Sequence, residues 1–118
     1  MPDWKGKNWL EKTGYSLAGI RDALKTEIAV RQEFLAFLLC VALGFWRFGV
    51  SRELLKITFI GLSPIIVELI NTAFEIITDL ACGTQYNEKI RMAKDMLSGA
   101  TFLTFIVCYG SVLLILFK

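Results

Sequence analysis

Histidine is absent from this 118-residue chain, which removes His-based acid–base catalysis and the common His-containing metal sites. Any metal must then be a hard cation held by oxygen, which points to Mg²⁺ or Ca²⁺. Cysteine is sparse. Cys40, Cys82 and Cys108 are odd in number and two sit inside apolar runs, which argues against a disulfide framework and for small packing residues. The net charge is only +2 and the basic residues are dispersed, so nucleic acid is not an expected partner. Neither a Gly-x-x-x-x-Gly-Lys-Ser/Thr loop nor a His-Arg-Asp catalytic loop occurs. No cleavable signal peptide is expected, because the N-terminus is polar and the first long apolar run begins at Phe34. The first membrane helix should itself direct insertion.

What the chain has is apolar surface. It is 55% hydrophobic, more than one soluble core of this length can hide, so lipid must be part of its solvent. A single all-α integral membrane domain over residues 1–118 is expected. Residues 1–7 are polar and expected to fray. From about 8 to 28, Leu10, Leu17, Ile20, Leu24 and Ile28 keep helical spacing, with Glu11, Lys12, Arg21, Asp22 and Lys25 mostly opposite. This pattern predicts an amphipathic helix lying in the membrane interface, with Trp9 and Tyr15 at headgroup level; a soluble helix packed on a protein core would read the same way. Three spans are expected, at about 30–50, 53–79 and 94–117. The third is the clearest, since Met96 to Phe117 is 22 residues without a charge. Gly49-Val50-Ser51 and the polar Cys82 to Asn87 segment form the turns. Pro64, lacking an N–H, should kink the second span one turn before Glu68, and it either opens a wet pocket there or is simply tolerated.

The second span carries the chemistry. Glu68, Asn71, Glu75 and Asp79 fall within an arc of roughly 80° on one helix face, while Leu69, Ile70, Thr72, Ala73, Ile76 and Ile77 are expected opposite. Acids at membrane depth are expensive, and by default they mark a functional site. The competing reading lets the helix leave the membrane near Glu75, so that the lower acids are merely solvated. Glu68 and Glu75 are separated by about 10 Å along the axis, too far to share one ion easily. A division of labour follows, with Glu75 binding a cation near the interface and Glu68 deeper doing acid–base work. Glu27, between the surface helix and the first span, is the other candidate ligand, and with Glu75 it would give a two-carboxylate Mg²⁺ site completed by phosphates and water. Lys94 and Asp95 are expected to open the third helix, where Lys94 and free amides favour an anion. Asp95 also stands four residues after Arg91 and can be read as its ion-pair partner.

Basic residues set the orientation. Lys5, Lys7, Lys12, Arg21, Lys25, Arg31, Lys89, Arg91 and Lys94 lie on the side shared by the N-terminus and the second loop, against Arg47, Arg52, Lys56 and Lys118 on the other. The positive-inside rule places the N-terminus in the cytoplasm and the acid stripe descending toward it.

The run Glu68-x-x-Asn71-Thr72-Ala73-x-Glu75-x-x-x-Asp79, followed by Ala93-Lys94-Asp95-Met96, closely resembles the small prokaryotic diacylglycerol kinases. Gly14-Tyr15-Ser16 and Glu27-x-x-x-Arg31-Gln32-Glu33 match as well, so the likeness spans about residues 10 to 117. It implies a homotrimer in a bacterial cytoplasmic (inner) membrane, with three membrane helices and a surface helix per subunit and with active sites shared between subunits. It also implies ATP-dependent phosphorylation of a lipid hydroxyl. By position, Glu68 resembles the catalytic base, and Glu27 and Glu75 resemble the ligands of the Mg²⁺ on ATP. Tyr15, Asn71, Lys94 and Asp95, with the turn Gln85-Tyr86-Asn87, resemble nucleotide-site residues. Arg31, Glu33 and Ser98 would lie toward the lipid. Asn8 stands where the family carries an arginine and Asn87 where a histidine often follows the tyrosine, and Leu80 to Gln85 is one residue longer. A sister branch phosphorylates undecaprenol; Arg31-Gln32-Glu33 favours diacylglycerol, whereas Asn71-Thr72-Ala73 and Ser98-Gly99-Ala100 lean the other way. A small proton- or cation-coupled transporter is the rival from another class, but it leaves Lys94 and Asp95 without a purpose.

Overall fold

A computed structural model describes residues 8–118. The expectation of fraying at residues 1–7, and two of the nine basic residues counted on the N-terminal side, Lys5 and Lys7, lie outside the described residues. Four helices follow in order: α1 (Trp9–Thr26), α2 (Ile28–Phe48), α3 (Arg52–Cys82) and α4 (Glu88–Leu116). The last three are long and apolar enough to cross a membrane.

Each boundary has a local cause. Asn8 caps α1 by accepting from the amide of Glu11 at 2.9 Å. At Glu27 the backbone turns extended (φ −115°, ψ 116°), so this residue closes α1 and starts α2 without its side chain making a cap hydrogen bond. Arg31 Nη1 donates to the carbonyls of Leu24 and Lys25 at 3.0 Å each, satisfying two acceptors that the end of α1 leaves free. Gly49 and Gly83 end α2 and α3 at φ 64° and 61°, a backbone region that residues with a Cβ rarely enter. Ser51 caps α3 by accepting from the amide of Leu54.

The third span differs from expectation. Asn87 accepts from the amides of Lys89 and Ile90 at 3.0 and 3.2 Å, so α4 starts at Glu88 rather than at residue 94. The free amides of that helix start therefore lie at residues 88–90, and two are already taken. Lys94 and Asp95 sit in the second turn with their amides inside the helix, so the anion site expected from amides at Lys94 is not formed. The other bounds shift by one to three residues.

α3 is the central element. It packs along both α2 and α4, which meet each other only briefly, and α1 touches α2 and α3 lightly. Short connections make neighbours run antiparallel. The ion pair of Glu53, at the start of α3, with Lys118, past the end of α4, marks one end at 3.7 Å. Cys40, Ile57, Cys108 and Val112 form one core with a contribution from every span, so two cysteines act as packing residues. Helix α3 runs unbroken through fully buried Pro64. Proline cannot donate to the carbonyl of Ile60, and the Ser63 hydroxyl takes that place at 2.7 Å. Large apolar side chains such as Leu39, Phe59 and Leu103 remain exposed on the outer faces.

Candidate active site

Glu68 is 8% exposed and the next inward-facing polar residue, Thr72, 7%. An acid so placed inside an apolar bundle needs a purpose. One turn on, the half-buried Asn71 donates through Nδ2 to Glu75 Oε1 at 3.3 Å. Glu33 of α2, Glu75 of α3 and Glu27 of the α1–α2 hinge all lie close enough for their charges to act on Glu68. Three separate segments thus bring four carboxylates to one region at the end of the bundle where α1 joins α2.

Like charges gathered this way repel and invite a cation. The donors are all hard oxygens, which suits Mg²⁺. Among the described residues, no three acids or cysteines converge into a ready cage. The set fits an ion held by one or two carboxylates and completed by phosphate oxygens, not one enclosed by protein alone.

A second cluster lies at the α3–α4 turn. Gln85, Tyr86, Asn87, Lys94 and Asp95 line one cleft of about 260 Å³, together with Asp79. Lys94 Nζ reaches Asp79 Oδ1 at 3.0 Å and also feels the charge of Glu75, which links this cleft to the carboxylate region. Tyr86 donates to Glu88, Glu88 pairs with Arg91, and Arg91 Nη1 reaches Asp95 Oδ2 at 2.6 Å. The Arg91–Asp95 pair anticipated from spacing is therefore formed, and both residues still face the cleft. Asn87 faces it too, although its side chain is spent on capping α4.

Not every expected residue joins. Tyr15 lies on the other flank of α3, in a separate cleft of about 470 Å³ between α1 and α3, whose lining includes Ser16, Leu69 and Thr72. Arg31 directs its guanidinium at the end of α1. Ser98 is exposed on α4 and lines neither cleft. Glu33 accepts at Oε2 from the hydroxyl of Tyr109 at 3.1 Å, a bridge from α2 to α4. Thr72, Arg91 and Tyr109 were missed as site residues. Thr72, expected on the face opposite Glu68, is instead buried one turn after it, since four residues advance a helix by only about 40° beyond a full turn; Arg91 stands four residues before Asp95 and could have been found by the same spacing. Tyr109 had no sequence signal.

The family model for prokaryotic diacylglycerol kinase matches residues 14–116. The chain is 39% identical over 100 residues to a diacylglycerol kinase of Escherichia coli, covering 83% of this chain and 80% of that protein. It is 36% identical over 102 residues to one of Pseudomonas aeruginosa, covering 86% and 81%. With one of Haemophilus influenzae it shares 31% over 94 residues, covering 80% and 79%.

Proposed function

The chain belongs to the prokaryotic diacylglycerol kinase family and is a lipid kinase, and from that premise we propose that it transfers the γ-phosphoryl group of ATP to the hydroxyl of diacylglycerol, giving phosphatidic acid at the cytoplasmic membrane interface. The observation that carries the reading is Glu68, buried in a membrane-spanning helix and neighboured by Glu27, Glu33 and Glu75.

Glu68 is the general base that accepts the proton of the lipid hydroxyl as phosphoryl transfer proceeds. Asn71, bonded to Glu75, keeps the polar stripe ordered between this base and the interface. Glu27 and Glu75 would hold Mg²⁺, whose chemistry is to neutralise charge on the phosphate oxygens. Lys94 meets a phosphate and exchanges its exposed partner Asp79 for it. Gln85, Tyr86, Asn87 and Asp95 receive the nucleotide, with Tyr15 approaching from α1. Glu33 flanks the lipid, and its carboxylate is suited to the polar end of a molecule whose acyl chains stay in the bilayer, whereas the guanidinium of Arg31 stays on the end of α1.

The α3–α4 cleft of about 260 Å³ falls short of the roughly 300–1,000 Å³ typical of small-molecule pockets. Tyr15 is also remote from it. Both features support a homotrimer in which neighbouring subunits complete each site. The exposed apolar faces of α2, α3 and α4 supply surface for subunits as well as lipid, and α1 lies on the cytoplasmic interface of the bacterial inner membrane.

The test is purified protein in detergent with Mg-ATP and either diacylglycerol or undecaprenol in the same micelles, following labelled lipid phosphate. Diacylglycerol should be phosphorylated faster. A preference for the polyprenol would move the chain to the undecaprenol branch, and no labelled lipid from either would overturn the reading.

A further inference from the structure

Tyr109 belongs to neither cleft, and no expectation from the sequence touched it. Its hydroxyl donates to Glu33 Oε2 at 3.1 Å, across 76 residues of chain, and joins two helices that otherwise barely meet. The ring is held in place on two sides. Phe105, one turn earlier, packs against it with ring centroids 6.0 Å apart at 53°, and the Cys40–Ile57–Cys108–Val112 core adjoins it. A ring locked by packing with its hydroxyl on a carboxylate is a support that fixes the geometry of another side chain.

We propose that Tyr109 is a positioning residue for the lipid substrate, acting through Glu33. The proposal rests on the reading of Glu33 as a lipid-side residue. A carboxylate offers two acceptor oxygens. With Oε2 accepting from Tyr109, the carboxylate is held in one orientation, and Oε1 is the oxygen it leaves fully open to the polar end of a diacylglycerol. In the apolar bundle few other donors compete for the carboxylate, so the hydroxyl of Tyr109 decides where it points. Glu33 also acts electrostatically on Glu68, so its orientation bears on the hydroxyl that Glu68 deprotonates. The nucleotide cleft lies at the α3–α4 turn, with Asp95 as its last lining residue on α4, and shares none of these contacts. Tyr109 should therefore govern lipid use and leave nucleotide use alone.

Tyr109→Phe keeps the ring and its packing and deletes the donor. The expected result is a fall of about tenfold in kcat/KM for diacylglycerol, the scale of one lost hydrogen bond to a charged acceptor, with KM for ATP changed by less than about twofold. In a Glu33→Gln background the same change should add nothing, because the carboxylate it orients is gone. Gel filtration and thermal inactivation of each variant accompany the rates. An unchanged lipid kcat/KM, an equal loss for lipid and ATP, or additive losses in the double variant would each overturn the role of Tyr109 while leaving the lipid-kinase reading intact. Wild-type protein that phosphorylates neither lipid would overturn that reading, and this proposal with it.

Discussion

At the scale of single residues, the weight falls on Glu68. A lipid hydroxyl is a poor nucleophile, and its proton must leave as the phosphoryl group arrives. A positioned base is worth on the order of 10²- to 10⁴-fold in rate, with placement and charge neutralisation supplying the rest. Glu68→Gln preserves size and hydrogen bonding but cannot take the proton, so turnover should fall by at least about 100-fold. Assembly should survive, since a neutral amide costs less to bury than an acid. Turnover at saturating lipid and ATP, with gel filtration alongside, measures this. A variant that stays assembled and keeps more than about a tenth of wild-type turnover would show that Glu68 is not the base. The stripe containing it was legible because period 3.6 alone puts Glu68, Asn71, Glu75 and Asp79 on one face. Glu33's partner was not legible, because nothing local to residue 33 encodes a contact with residue 109.

At the scale of the helices, α3 holds the site because it holds the bundle. Its approach to α2 depends on two glycines. A Cβ at Gly44 would meet Ile57 Cδ1 at 2.9 Å and Leu54 Cδ1 at 3.3 Å, and one at Gly61 would meet Phe37 Cδ1 at 3.0 Å. Small residues permit this close packing where water supplies no driving force between helices. Gly44→Ala requires the ends of Ile57 and, slightly, Leu54 to swing aside, whereas Gly44→Leu drives a whole side chain into a fully buried isoleucine. The leucine variant should lose about 1–3 kcal/mol and inactivate at lower temperature than wild type, with the alanine variant between them. Thermal inactivation in detergent reads the series, and a leucine variant as stable as wild type would mean that the α2–α3 seam is looser than described. The start of α4 belongs to this scale too. Hydropathy located the apolar span from residue 94 but not the two polar turns before it, because a helix capped by Asn87 needs no apolar residues to begin.

At the scale of the whole molecule, the antiparallel order of α2, α3 and α4 puts Glu27, Glu75, Asp79 and Lys94 at one end and Glu53 and Lys118 at the other. On the proposed orientation, which rests on the nine-to-four division of basic residues, the first end faces the cytoplasm, where nucleotide is available. Cys82, half-buried at that end, should react with a thiol reagent only when the cytoplasmic face is opened. A reporter fused after Lys118 should be active only on the far side. A reporter active in the cytoplasm would invert the topology and move the site away from ATP.

Three spans and one acid stripe were set by the sequence itself, since hydropathy and helical period act over a few residues. Which helix is central could not be read that way. Neither could the gathering of Glu27 and Glu33 toward Glu68, the split of Tyr15 from the α3–α4 cleft, the diversion of Arg31 to the end of α1, or the bridge from Tyr109 to Glu33. These depend on how whole helices pack, and that is decided by side-chain shape along the entire length of α3, where Gly44 meets Ile57 and Gly61 meets Phe37.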